Sequence, residues 1–289
     1  MPEQKTEYFI QQDKDCPGMT RSLRIRSRIC ISSLPEKRLD IFRTDAFGLV
    51  MAADGTILYA EQESLFHEMA AFCAAYAHEE PRRALLLGAL SFPIAAMLLK
   101  IRGIERIELC DAEDGLADIL RRHIPAARKT FGDFRMEFFT ENRNAFLERH
   151  EGCFDLIFDF TPEAPQARRA SIRAMKKALA PGGVLTMLAP PCPKSFRRAR
   201  KELGNLAACF RFVSCAQTPF PPGLYGAGWF FMASDETDPS VPVRRMPGGR
   251  RTCGYSRAYH KAIFKHASFR EKELLDQGRP EDDEEERND

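Results

Sequence analysis

No two of the nine cysteines are spaced as Cys-x-x-Cys, and no cysteine–histidine spacing matches a zinc site. Neither a structural metal nor a dithiol redox centre is therefore expected. Cys110, Cys153 and Cys209 sit in apolar runs and read as buried thiols of a reducing compartment, the cytoplasm. A long hydrophobic run is also missing. The longest, Ala84 to Leu99, is interrupted by Ser91 and Pro93 and falls short of the ~20 residues a membrane span requires. The opening stretch, MPEQKTEYFIQQDKD, has no apolar core of a secretory signal. Charge of one sign is lacking too. Lys and Arg number 43 against 41 Asp and Glu, a formal +2, which speaks against a nucleic-acid or membrane-surface partner for the molecule as a whole. No internal repeat is visible.

The charge that is present is unevenly placed. Arg21, Arg24, Arg26 and Arg28 make the start basic, and the last nine residues, EDDEEERND, are strongly acidic. Arg197, Arg198, Arg200 and Lys201 read as a solvated helix face rather than a phosphate contact. Residues 1–21 are polar, with a Pro17-Gly18 breaker, and are expected to be poorly ordered. Residues 22–64 carry short β-like segments and an Asp54-Gly55 turn between apolar runs, the signature of a hairpin in a small antiparallel β-domain.

From 65 to 276 the rhythm changes. A helix is expected over Ser64 to Ala77, with Leu65, Met69 and Phe72 on one face. Strands follow in ALLLG (84–88), RIELCD (106–111), MEFFT (136–140) and FDLIFDF (154–160), each succeeded by a helical segment. A helix from about Arg168 ends at Ala180-Pro181-Gly182-Gly183, before the strand VLTMLA. Apolar strands alternating with helices predict an α/β fold, a doubly wound parallel sheet covered on both faces. A helix over 194–206, the strands ACFRFVSCAQ and WFFMAS, and a helix over about 255–275 complete the pattern, before a disordered acidic tail over 277–289.

Ligands of such sheets bind beyond the carboxyl ends of the strands. Gly88 to Ser91 lie there on the first strand, Asp111 on the second, Glu141 and Asn142 after the third, and Asp159 on the fourth. An acidic residue ending the second strand is placed to hold ribose hydroxyls; the alternative for Asp111 is a helix N-cap. Asp159 interrupts an apolar strand end, where a carboxylate needs a partner or a purpose; the alternative is a turn cap before Thr161-Pro162.

Several segments, in order, resemble the polyamine aminopropyltransferases (spermidine synthases). Phe66-His67-Glu68-Met69 resembles that family's Tyr-His-Glu-Met. FDLIFDFTPEAP resembles its Tyr-Asp-Val-Ile-Ile-Val-Asp-Ser-Ser-Asp-Pro, and PFPPGLYGAGWFFMAS its Pro-Thr-Tyr-Pro-Ser-Gly-Leu-Trp-Gly loop and last strand. LAPGGVL and YSRAYHKAIFKHASFREKELL complete the set, which spans roughly residues 23–275. The resemblance implies a Rossmann-like, methyltransferase-type doubly wound sheet that binds a nucleoside, and aminopropyl transfer from decarboxylated S-adenosylmethionine, a co-substrate, to putrescine or a related diamine. It implies Asp159 as the catalytic base, Asp111 on the ribose, Asn142 at the adenine and His67 near the aminopropyl arm, with Gly88 and Ser91 in the nucleoside loop. Phe66, Glu68, Glu163 and Tyr225 would line the diamine channel. It also implies a homo-oligomer, a dimer or tetramer, with no metal.

The departures lie in the loop. The family's Gly-Gly-Gly-Asp-Gly-Gly is Gly88-Ala89-Leu90-Ser91-Phe92-Pro93 here, so only one glycine is left and Ser91 replaces an aspartate. Ser91 followed by Pro93 still starts a helix well. The second aspartate of Asp-Ser-Ser-Asp is Pro162, with Glu163 one step on. These changes support a second reading, a non-catalytic homologue acting as a binding or regulatory protein. A third reading is an S-adenosylmethionine-dependent methyltransferase.

Overall fold

A computed structural model describes residues 6–12, 18, 20–34, 37–113, 115–161, 165–189, 196–218, 228–244 and 252–265. Strand β1 (Glu7–Gln12) pairs antiparallel with β2 (Thr20–Ile25). The poor order expected over 1–21 is thus corrected for residues 7–12. Phe9 stacks on Phe42 with ring centroids 4.9 Å apart, and the Gln11 side-chain oxygen accepts the Ile57 amide at 3.1 Å. Apolar burial and a satisfied polar atom together hold this strand on the sheet beneath it. That sheet is a meander of β3 (Ser27–Leu34), β4 (Lys37–Thr44), β5 (Gly48–Ala53) and β6 (Thr56–Ala60). The β5–β6 turn has Asp54 at φ 47° and Gly55 at φ 76°. Two positive φ values match the right-handed twist of a tight hairpin, which is why Asp-Gly marks it.

Helix α1 (Ser64–Ala77) is buried from Phe66 to Ala77 on every side, as an alanine-rich helix between two layers must be. After it come β7 (Arg83–Leu87), α2 (Phe92–Leu98), β8 (Arg106–Cys110), α3 (Leu116–His123), α4 (Pro125–Phe131), β9 (Met136–Phe139), α5 (Arg143–Glu148) and β10 (Phe154–Asp159). The chain continues through α6 (Pro165–Ala178), β11 (Leu179–Leu188), α7 (Phe196–Ala207), β12 (Phe212–Thr218), β13 (Gly228–Ser234) and α8 (Arg257–Ala262). Seven strands form one sheet in the order β12-β13-β11-β10-β7-β8-β9. Strands β7 to β11 are parallel, and β13 and β12 add antiparallel pairings at one side.

The unbroken apolar strands follow from this double covering. Ala84, Leu86, Leu156 and Phe158 face a core built with α1, α2 and the meander. Leu85, Leu87 and Ile157 face a second core with Phe146 of α5, Ile172 and Met175 of α6, and Leu206 of α7. Alternate residues therefore enter different cores, and both must be apolar. Sequence order runs outward from β7 to β9 and then returns to β10 on the other side of β7. Such a reversal opens a crevice at the strand carboxyl ends, between the loops after β7 and β10.

Beyond β13 the chain straps back across α1. The Val243 and Arg244 amides donate to the Tyr76 carbonyl at 2.9 and 3.1 Å, and Tyr255 stacks on Tyr76 at 5.1 Å. Among the described residues, no helix is long and apolar enough to cross a membrane.

Candidate functional site at the strand ends

At the end of β7, Gly88 has φ 88°, and a Cβ there would lie 2.5 Å from Thr161 Cγ2. Only glycine fits, on backbone angle and on space. The Gly88 amide donates to the Cys110 carbonyl at 2.8 Å. The rest of the former glycine loop has closed into a helical turn, Ala89–Ser91, that leads into α2. Ser91 is buried, and its hydroxyl donates to the Leu87 carbonyl at 3.1 Å. It starts α2 without a side-chain cap bond, so the helix start expected there is met by position and by Pro93.

Asp111 follows β8. Its Oδ2 accepts the Ala89 amide at 2.6 Å and its Oδ1 the Glu113 amide at 2.8 Å. The side chain thus fastens the β7 loop to the β8 loop. Each oxygen keeps a second lone pair, because an ionised carboxylate offers about four acceptor positions. Asn142 is the N-cap of α5, where its Oδ1 accepts the Asn144 and Ala145 amides at 2.9 and 3.4 Å. That use leaves the amide hydrogens as its outward face.

Asp159 is fully buried at the end of β10. Arg143 donates through Nη1 to its Oδ1 at 3.2 Å and through Nη2 to its Oδ2 at 2.8 Å. Arg168 of α6 donates to Oδ2 at 2.9 Å. The Thr161 amide and hydroxyl donate to Oδ1 at 3.2 and 2.6 Å. Five donors meet about four acceptor positions. A carboxylate so occupied holds the β9, β10 and α6 ends together and caps its own turn, and no acceptor position is left for an incoming ammonium. The carboxylate expected to act as the base is thus buried and shared by two arginines and Thr161.

Glu202 of α7 extends the cluster at 3.6 Å from Arg168 and 3.8 Å from Arg198. Burial raises the pKa of its carboxyl, against the pull of Arg168.

The Tyr-His-Glu-Met-like segment opens α1. Glu68, expected to face a diamine, is buried and accepts three backbone amides of the strap: Cys253 on Oε2 at 2.9 Å, and Gly254 and Tyr255 on Oε1 at 2.8 and 2.9 Å. It ties the strap to α1. Phe66 lies in the core against Phe160 and Phe230, with centroids 6.0 and 5.9 Å away. The His67 ring is buried; burial pushes its pKa down to about 4, against a backbone hydrogen bond at Glu63 that raises it. Glu163 and Tyr225 lie outside the described residues.

The structure brings Gly88 and Asp111 together through Ala89, and links the Asn142 corner to Asp159 through Arg143. Reading the sequence missed Arg143 and Arg168. A signal existed for the second, since Arg168 stands four and seven residues before the buried Ile172 and Met175, on the apolar stripe of α6. Among the described residues, no group of three or more His, Cys, Asp or Glu side chains is placed to hold a metal. A cavity of about 340 Å³ lined by Glu151, Lys176, Phe210 and Asp235 lies at the other end of β10, away from this crevice.

Residues 63–245 match the sequence model of the Spermine/spermidine synthase domain. The chain belongs to that family. It is 33% identical over 214 residues to a polyamine aminopropyltransferase of Nitrosomonas europaea, a match covering 71% of this chain and 65% of that relative. It is 23% identical to a spermidine synthase of Dictyostelium discoideum, over 92% of this chain and 97% of the relative. Solved spermidine synthase structures share the fold. One from Thermotoga maritima superposes with a TM-score of 0.82 at 20% identity, covering 93% of this chain and 94% of the other. Another, in complex with the transition-state analogue AdoDATO, gives 0.83 at 20% identity, covering 95% and 96%. Relatives named as aminopropyltransferases place the chain in a transferase family.

Proposed function

We propose that the chain binds decarboxylated S-adenosylmethionine at the β7–β9 strand ends and transfers its aminopropyl group to an amine. Putrescine and related diamines are the acceptors that the family resemblance implies. The observation that carries the reading is Asp111, which is held in place by two backbone amides and retains acceptor capacity for ribose hydroxyls. The outward amide of Asn142 would meet an adenine acceptor. Asp159 anchors the crevice in this reading and does not take the proton.

The reaction is an in-line attack by a neutral amine on the carbon beside the sulfonium, so holding the two partners together is the main requirement. An amine of pKa near 10 is neutral in only about one molecule in a thousand at pH 7. Without a protein base, turnover should rise about tenfold per pH unit between 7 and 9.

A second reading, a non-catalytic binding or regulatory homologue, is favoured by one observation: the carboxylates of Asp159 and Glu68 are both committed to internal partners. One experiment separates the two. Purified protein is given decarboxylated S-adenosylmethionine and a panel of amines, and 5′-methylthioadenosine is measured. Its release supports transfer. Nucleoside binding by calorimetry with no release for any amine supports the second reading.

A further inference from the structure

Helices α6 and α7 lie side by side on one face of the sheet, where Ile172, Met175, Ala199 and Leu206 enter the same core. Their outer faces are cationic. Arg169, Arg173 and Lys177 are exposed and spaced four apart, so they form one stripe along α6. Arg198 and Lys201 are exposed on α7, three apart. The two helices hold one acidic residue, Glu202, and it is buried toward Arg168. Among the described residues, Arg169, Arg173, Lys177 and Lys201 have no ion pair. Unpaired charge of one sign on one face draws in polyanions. The chain carries a polyanion of its own, since 281–289, EDDEEERND, has seven carboxylate side chains against one arginine. The path to it starts nearby. β12 is the last strand at its side of the sheet, and the Gln217 amide on its free edge donates to the Ile263 carbonyl at 2.8 Å. α7 packs on this same strand, and the described chain ends at Lys265. Residues 266–280 span at most about 50 Å, and packed helices lie about 10 Å apart, so α7 and α6 are both within reach of the acidic segment.

We propose that residues 281–289 cover the cationic α6–α7 face of their own chain and so withhold it from nucleic acid and other polyanions. A tethered segment meets the face at a high effective concentration, which favours it over a free polyanion. The inference is independent of the aminopropyl-transfer reading.

The test treats the full chain with a carbodiimide, which joins an amine to a carboxylate in contact with it through an amide bond and takes up the water released. Unlabelled and isotope-labelled chains are mixed beforehand, so that mass spectrometry separates links within a chain from links between chains. Links from 281–289 to Lys177 and Lys201 are expected within one chain. They should exceed by at least about fivefold those to Lys100, just after α2, and Lys129 of α4, on the opposite face of the sheet. They should fall at least about fivefold in about 0.5 M salt, where charges are screened beyond roughly 4 Å. A similar fall is expected in Arg169→Ser/Arg173→Ser, which keeps both lysines. No links, or links no stronger than those to Lys100 and Lys129, overturn the inference. Links only between chains give the face to a second copy and overturn it too. So does binding of a single-stranded oligonucleotide by the full chain, tighter than about 1 µM in about 0.15 M salt and lost in the same variant, because the face is then open to nucleic acid. The wild-type links decide even where the variant does not fold.

Discussion

Replacing Asp159 by asparagine tests whether that carboxylate is an anchor or a reagent. A reagent can be neutralised with little harm to the fold. An anchor between two guanidiniums cannot. In Asp159→Asn, Arg143 and Arg168 would remain with no carboxylate between them, and the new amide would set its own donors against at least one guanidinium that now donates at 2.8 or 2.9 Å. Breaking one side of a buried ion pair costs roughly 3–5 kcal/mol. For a chain of this size that corresponds to a fall of roughly 6–20 °C in Tm. Thermal unfolding followed by circular dichroism at pH 7.5 measures it. The double variant Arg143→Met/Asp159→Asn removes one stranded cation and should recover part of the loss. A Tm within about 2 °C of wild type would refute the anchor and return Asp159 to the role of base.

Glu68→Gln should lose roughly 2–4 kcal/mol, since one of three amides loses its acceptor and meets an amide donor, and limited proteolysis should then cut the strap faster. If Glu68 instead met the acceptor amine, KM would rise with stability unchanged. Gly88→Ala should cost at least about 1–2 kcal/mol from its positive φ, before the collision with Thr161 is counted, and an unaltered melting curve would contradict the geometry. Stability should also fall with acid. His67 and His260 have pKa values pushed by burial from 6.5 to about 4, so the unfolded chain binds more protons in that window. Their contribution is full above about pH 6.5 and is lost as pH drops toward 4, at about 2 kcal/mol each by pH 5. Urea titrations at pH 7 and 5 should show that loss, and His260→Gln should reduce it.

The fold was largely legible because its strands lie between two cores. ALLLG, RIELCD, MEFFT and FDLIFDF hold β7 to β10, and α1 runs over Ser64 to Ala77 as its apolar spacing predicts. Turn chemistry was equally readable at Asp54-Gly55, where both φ values are positive. The start of the chain was misread because the short apolar run of β1, Tyr8-Phe9-Ile10, stands alone among polar residues, and only Phe9 of the three is buried. What orders it is non-local, Phe9 on Phe42 and Gln11 on the Ile57 amide. No window around residues 7–12 reports a partner that lies 46 positions away.

The site was legible as a set of positions, and much less as a set of environments. A motif says where a carboxylate stands, while chemistry depends on who else bonds to it. Asp111 shows the favourable case: its partners are backbone amides of loops the fold already brings together, so position nearly fixes environment. Asp159 shows the opposite. Its environment is set by Arg143, next to the Asn142 cap, and by Arg168 on the inner stripe of α6, and neither belongs to the motif that singled out the aspartate. Glu68 is captured by amides nearly two hundred positions further along the chain. Arg143 and Arg168 bear on the site through the Asp159 carboxylate they share, and Gly88 bears on it through its positive φ and its close approach to Thr161, so each acts through a neighbour that no single segment of the sequence contains.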